Sequence, residues 1–298
     1  MSPAVPRVAA LHDLSGFGRT SLTVAIPILS AMGAQVCPLP TAILSTHTVE
    51  FTDYTFQDLT EEMGRILDHW ERLNLRFDAV YSGFMACPEQ MDHVARCIER
   101  CLAPGGLAVV DPVLGDNGVL DPTMSPKMVA RMRWLVGKAR VITPNFTEAA
   151  FLLDEPWRER IAPGELRCWL RRLRAMGPAV AVITSVPMSG DPHRLSVVAA
   201  EDDPTDGAER MWKVEYTYIP AHYPGTGDAF ASVLTGSLLT GDSLPIAMDR
   251  AVQFVSQGIM ATFSHKLPTR EGIALESILG NLRAPLAQNR YVPLESGA

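Results

Sequence analysis

The residues Gly225-Thr226-Gly227-Asp228 run directly into the helix-forming stretch Ala229-Phe230-Ala231-Ser232-Val233-Leu234. Two glycines let backbone approach a ligand closely, and the first-turn amides of the following helix present partial positive charge to an anion. An Asp in that turn can accept the proton of an alcohol attacking a phosphoryl group held by those amides. Taken alone, Asp228 also fits a carboxylate that only complements the helix dipole. Further polar residues follow short apolar runs: His12-Asp13-Leu14-Ser15-Gly16-Phe17-Gly18, Asp111-Pro112-Val113-Leu114-Gly115-Asp116, Pro144-Asn145-Phe146-Thr147-Glu148 and Thr184-Ser185. If those runs are neighbouring strands, Asp111, Asp116, Asn145 and Glu148 converge on a magnesium and phosphate site, directly or through water, because hard cations take oxygen ligands.

Such convergence needs a sheet, and the patterning predicts one. Residues 7–11, 35–39, 79–82, 107–110, 140–143 and 179–184 are short apolar runs bounded by Gly, Pro or Asp, as buried parallel strands are. Between them, residues 20–32, 58–73, 88–102, 125–137 and 164–176 carry helical periodicity with a charged face. Residues 195–200 and 211–219 flank the acidic turn Glu201-Asp202-Asp203-Pro204-Thr205-Asp206-Gly207 and predict an antiparallel hairpin at one edge. The apolar segment 247–263 reads as a core helix. No linker long enough to separate domains interrupts the chain, so residues 1–298 are expected to form one α/β domain that binds its ligands at the carboxyl ends of the parallel strands.

Composition narrows the function. The 26 Lys and Arg against 33 Asp and Glu leave a net charge of −7, which argues against a nucleic acid or an anionic membrane as partner. With 47% apolar and 20% charged residues the chain can bury a large core, yet no uncharged apolar run approaches the roughly 20 residues that cross a bilayer. The start Met1-Ser2-Pro3-Ala4-Val5-Pro6-Arg7 lacks a signal-peptide pattern, and the 5 irregularly spaced cysteines suit a reducing compartment, so a cytoplasmic protein is expected. Gly16-Phe17-Gly18 lacks the third glycine of a dinucleotide fingerprint, and no G-x-x-x-x-G-K-[ST] loop occurs. His93, Cys97 and Cys101 share a helix face without a fourth ligand at finger spacing, which reads as packing rather than metal binding.

In order, over residues 8–263, these segments resemble the ribokinase-like superfamily of small-molecule kinases, and within it the pyridoxal/pyridoxamine (vitamin B6) kinase branch. Gly225-Thr226-Gly227-Asp228 is similar to the family's anion-hole motif, which implies Asp228 as base and Gly225, Thr226 and Gly227 as the cradle. Asp111-Pro112-Val113-Leu114-Gly115-Asp116 is similar to its D-P-V-x-G-D segment, and Thr143-Pro144-Asn145 with Glu148 to its T-P-N-x-x-E segment. Together they imply Mg2+ at Asp116 and Glu148, and ATP phosphates at Asp111, Asn145, Thr184 and Ser185 with Thr226 and Gly227. Ser45-Thr46-His47-Thr48 is similar to S-N-H-T, and Tyr81-Ser82-Gly83-Phe84 to an S-G-Y or T-G-Y turn. The resemblance implies a three-layer α/β/α ribokinase-like fold with a mostly parallel central sheet, ATP and Mg2+ as cofactors, and a homodimer; dependence on a monovalent cation stays open.

Two departures bear on the substrate. Asp13 stands where vitamin B6 kinases commonly have serine, and Asp13-Leu14-Ser15-Gly16-Phe17-Gly18 is similar to the D-S-S-G-G-A-G opening of hydroxymethylpyrimidine kinases. Phe84 stands where tyrosine is frequent, keeping a ring to stack on a heterocycle but not its hydroxyl. Asp13 can bond a ring hydroxyl, a ring N–H or an exocyclic amine, which leaves both heterocycles open. Asp13, Ser15, His47, Thr48 and Phe84 are the expected substrate contacts, with strand-end packing as the other reading of His47. The expected activity is ATP-dependent phosphorylation of the 5′-hydroxymethyl group of pyridoxal, pyridoxine or pyridoxamine. The alternatives are hydroxymethylpyrimidine kinase activity and a vitamin-binding sensor without turnover. Residues 115–123 and 185–195, rich in Gly and Pro, are candidates for a closing loop.

Overall fold

The computed structural model describes residues 5–188, 191, 193–286 and 289–294, so residues 1–4 of the chain start and residues 189, 190 and 192 of the second candidate loop lie outside the described residues. In chain order the elements are β1 (Arg7–Ser15), α1 (Leu22–Ala31), β2 (Gln35–Leu44), β3 (Phe56–Asp58), α2 (Thr60–Arg72), β4 (Phe77–Ser82), α3 (Pro88–Cys101) and β5 (Leu102–Val110). There follow β6 (Gly115–Asp116), β7 (Val119–Leu120), α4 (Pro126–Val136), β8 (Val141–Ile142), α5 (Phe146–Leu153), α6 (Pro163–Ala175) and β9 (Val180–Val186). The chain ends with β10 (Arg194–Asp202), β11 (Glu209–Thr217), α7 (Thr226–Leu239), α8 (Leu244–Ser264) and β12 (Val292–Pro293).

One sheet has the order β12-β11-β10-β9-β8-β5-β4-β1-β2-β3, and β6 pairs with β7 apart from it. Its centre, from β2 to β9, is parallel. The expected hairpin, β10 with β11, joins β9 antiparallel, and β12 extends it. Successive strand residues face opposite layers. Val80 and Val110 pack with Met63 of α2, Val94 of α3, Met128 of α4 and Trp169 of α6, whereas Tyr81 and Val109 pack with Ile28 of α1, Val233 of α7 and Met248 of α8. Helices therefore cover both faces, the three-layer α/β/α arrangement of the ribokinase-like class. Cys97 and Cys101 belong to the buried face of α3. Among the described residues no helix is long and apolar enough to cross a membrane.

The differences from expectation have local causes. Helix α1 starts at Leu22 rather than at residue 20, because Ser21 has φ 51 and sends its N–H to Asp228 instead of into a helix. A short antiparallel strand, β3, covers the edge of β2 with three exposed residues that carry no apolar alternation. The strand expected at 107–110 begins at Leu102, directly where α3 ends, with a register shift in its pairing to β4. Helix α5 and the β6–β7 hairpin were not among the expected elements. In the order of strands, β1 lies between β2 and β4, so successive parallel connections leave it in opposite directions. A crevice opens at such a switch, beyond the carboxyl ends of the strands, and Asp13 and Gly83 stand there.

Candidate active site

The first turn of α7 is shaped by Gly225. This residue has φ 79, and a Cβ on it would lie 2.0 Å from the Arg19 carbonyl oxygen. No other residue type fits there without moving the loop after β1. The Ala229 N–H makes the first helical bond, donating to the Gly225 carbonyl at 2.9 Å, which leaves the amides of Thr226, Gly227 and Asp228 without acceptors inside the helix. Nothing lies within 4 Å of a Cβ placed on Gly227, so the turn is open at that residue. The Arg19 carbonyl is also closed in by Gly272, whose Cβ would stand 2.8 Å away. Arg19 further donates its N–H to the Glu271 carbonyl and its guanidinium Nε to Glu276.

Asp228 has a side chain 13% exposed, and its Oδ2 accepts the Ser21 N–H at 2.8 Å. Burial pushes its carboxyl up to about 6, with nearby Asp13 adding to the rise. Ser21 also donates its hydroxyl to Asp13 Oδ1, while the Ser15 hydroxyl donates to Asp13 Oδ2 at 3.0 Å. Asp13 is buried, which raises its pKa; the two hydroxyls oppose the rise. Asp13, Ser15 and Asp228 are thus brought together through Ser21. The role of Ser21 leaves no trace in sequence, because half of it is played by a main-chain amide.

On the other side, Asp111 is buried beyond β5 and accepts the Thr143 hydroxyl at 2.8 Å. Burial, followed by repulsion from Asp228, pushes it up to about 7. Asn145 caps α5: its Oδ1 accepts the Glu148 N–H, and Glu148 Oε2 accepts the Asn145 N–H. Glu148 Oε1 accepts the Leu114 N–H at 3.0 Å, and Asn145 Nδ2 donates to the Gly115 carbonyl at 2.9 Å. Burial and the charges of Asp111 and Asp116 raise the Glu148 pKa well above its ordinary value. Asp116 is exposed on β6 and accepts the Asn117 N–H. Thr184 forms a bridge beside Asn145, and exposed Ser185 follows it with φ 56.

Buried carboxylates that raise one another's pKa form a donor set suited to a hard divalent cation. Among the described residues no three His, Cys, Asp or Glu side chains are arranged to hold a metal together, and both Glu148 oxygens already accept amides.

The remaining expected residues lie in the loop after β2 and at the end of β4. Val49 donates its N–H to His47 Nδ1, so His47 Nε2 carries the proton and donates to the Arg270 carbonyl at 2.6 Å. With both ring nitrogens engaged by main chain, His47 presents only its ring to a ligand. That ring sits where a Cβ on Gly18 would be, 2.4 Å from Cδ2. Phe51 stacks edge-on to both His47 and exposed Phe17, and the Arg270 guanidinium lies 5.2 Å from its ring centre. Sequence reasoning passed over Phe51 and Arg270, although an aromatic in so polar a loop as 45–55 is a usable signal. Thr48 is half-buried in that loop, and half-buried Phe84 packs against the α2–α6 layer with its carbonyl accepting the Thr41 hydroxyl.

Residues 28–271 match the family model described as phosphomethylpyrimidine kinase. A crystal structure with pyridoxal of a Bacteroides thetaiotaomicron protein, provisionally named a phosphomethylpyrimidine kinase, is 52% identical, covers 97% of this chain and 99% of its own, and superposes with a TM-score of 0.92. The pyridoxal kinase of Lactobacillus plantarum is 32% identical, over 94% of this chain and 98% of its own, with a TM-score of 0.84. A pyridoxine/pyridoxal/pyridoxamine kinase of Bordetella bronchiseptica is 27% identical over 274 residues, 88% of this chain and 91% of that protein. A glycine-built helix start facing a buried carboxylate, on this fold and in this company, identifies the chain as a kinase of the phosphomethylpyrimidine kinase family, in the pyridoxal kinase branch of the ribokinase-like enzymes.

Proposed function

We propose that this kinase transfers the terminal phosphoryl group of ATP to the hydroxymethyl group of pyridoxal, pyridoxine or pyridoxamine. The observation that carries the reading is Asp228: one carboxylate oxygen is fixed by the Ser21 amide, and the other is free beside the unpaired amides of the α7 start. Asp228 Oδ1 accepts the alcohol proton as the oxygen attacks, and the amides of Thr226 and Gly227, in the turn set by Gly225, stabilise charge on the transferring group. Asp13, with Ser15, anchors a polar substituent of the ring, while His47, Thr48 and Phe84 enclose the ring. Asp111, Asn145, Thr184 and Ser185 contact the nucleotide. Magnesium, when bound, offsets phosphate charge, and Asp116 with Glu148 would hold it through its water shell. The 52% identical structure with pyridoxal supports this acceptor.

Hydroxymethylpyrimidine is the second acceptor to test, favoured by the family match and by the opening Asp13-Leu14-Ser15-Gly16. Both are flat heterocycles with a primary alcohol, so kcat/KM from ADP release decides between them. Higher kcat/KM on a B6 vitamer is expected; higher kcat/KM on hydroxymethylpyrimidine overturns the choice, and binding without turnover overturns the enzyme reading. A homodimer in the cytoplasm completes the proposal, and sedimentation velocity tests the dimer.

A further inference from the structure

His12, next to Asp13 in β1, is fully buried, and neither of its ring nitrogens has a hydrogen-bond partner. Unpaired buried polar atoms are costly and call for an explanation. The surroundings are built for the ring: it lies edge-on to Tyr81 with centroids 4.3 Å apart, and a Cβ on Gly83 would fall 2.4 Å from Nδ1. Nδ1 stands 3.9 Å from Asp228 Oδ1, the oxygen that Ser21 does not hold. Burial pushes the imidazole down to about 3, so the ring is neutral and the two groups are not an ion pair.

The other charged or titratable groups around Asp228 are Asp13 from β1, Tyr81 from β4 and Asp111 beyond β5. Both acids repel the carboxylate, and the Tyr81 hydroxyl donates to the Asp228 main-chain carbonyl at 3.4 Å. Among the described residues this leaves the Ser21 amide and the His12 imidazole as donors for the carboxylate.

We infer that His12 is a positioning residue for Asp228: its neutral ring donates Nδ1–H to Oδ1 and, opposite the Ser21 amide, holds the carboxylate in the rotamer that meets the incoming alcohol. The inference rests on Asp228 being the base. Catalytic hydrogen bonds are commonly long in the free enzyme and tighten in the Michaelis complex, and here an approach of about an ångström suffices. Neutrality matters, because a cation at this spot would bind the carboxylate as a full charge and weaken it as a base. The proton stays on His12 throughout.

His12→Phe keeps the ring and its stacking but removes the donor. Expected are an unchanged circular dichroism spectrum, an unchanged KM for ATP, kcat lower by about 10- to 100-fold, and an acid limb of kcat/KM displaced upward by about one pH unit, since the ionised form loses a hydrogen bond. His12→Asn, which restores an N–H near the Nδ1 position, recovers most of the rate and returns the acid limb. A folded His12→Phe with normal kcat and acid limb overturns the inference. So does a raised KM for the heterocycle at unchanged kcat, which would make His12 a substrate contact, and so does an equal loss in both variants with the limb unmoved. If His12→Phe does not fold, His12→Asn alone must keep the limb in place and kcat within about tenfold of the unaltered enzyme, and failure of either overturns the inference. Asp228→Asn run in parallel separates the two readings: normal turnover there removes the base itself, whatever His12 does.

Discussion

Ser21 serves two carboxylates with two different atoms, and this separates their contributions experimentally. Ser21→Ala removes the hydroxyl from Asp13 but keeps the amide on Asp228. Loss of a hydrogen bond to a charged group, worth about 1.5–3 kcal/mol, should appear as KM for the heterocycle raised by about tenfold or more with kcat nearly unchanged. Asp228→Asn should do the reverse, lowering kcat by about 10²- to 10⁴-fold with nucleotide affinity retained; steady-state kinetics and nucleotide titration check both. As the proposed base, Asp228 works only as an anion. With its carboxyl at about 6, kcat/KM should therefore fall as the pH drops through about 6 and level off above it; a rate flat to about pH 4 would exclude Asp228. Asp13 and Asp111 were legible as polar groups after apolar runs, and Asp228 as the acid of a glycine turn that leads into a helix. His12 and Ser21 were not, because one works through an unpaired nitrogen and the other through its main chain, and neither has a spacing to find.

The α7 start depends on a backbone shape rather than on a side chain. Gly225→Ala would put a methyl group 2.0 Å from the Arg19 carbonyl at φ 79. The left-handed conformation alone costs roughly 1–2 kcal/mol, and the clash adds to it. A lower thermal midpoint together with a loss of kcat is expected, while Gly227→Ala, with open space at its Cβ, should fold normally and lose phosphate affinity; calorimetry beside kinetics distinguishes the two. Several elements missed from the sequence carried a recognisable signature. Asn145-Phe146-Thr147-Glu148 has the spacing of a capping box and starts α5. Asn117-Gly118, at φ 50 and φ 78, is the two-residue turn that joins β6 to β7. By contrast β3, short and without alternation, offers nothing to recognise.

Across the whole molecule, acids are buried where parallel strands end, and this sets how stability responds to pH. Asp228 at about 6 and Asp111 at about 7 hold protons more tightly folded than unfolded. Their contribution is complete below the ordinary carboxylate range and is lost as the pH rises through about 6 and then about 7. The melting temperature should accordingly decline between about pH 4 and about pH 7 and level off above that, and Asp111→Asn should flatten the decline; a melting temperature that rises over this interval would contradict the assignment. The sheet was readable because each parallel strand is a short apolar run between breakers, a signal that survives without knowledge of neighbours. Its edges were less so, since edge strands are exposed on one face and share composition with loops. One further arrangement joins parts of the chain that lie far apart in sequence. The Arg19 carbonyl is clasped by Gly225 and Gly272, and the Arg19 amide is tied to Glu271. The loop after β1 thus waits during synthesis for residues made much later, so no nascent fragment that stops short of Gly272 would possess the candidate site in finished form, however much of the sheet had already formed.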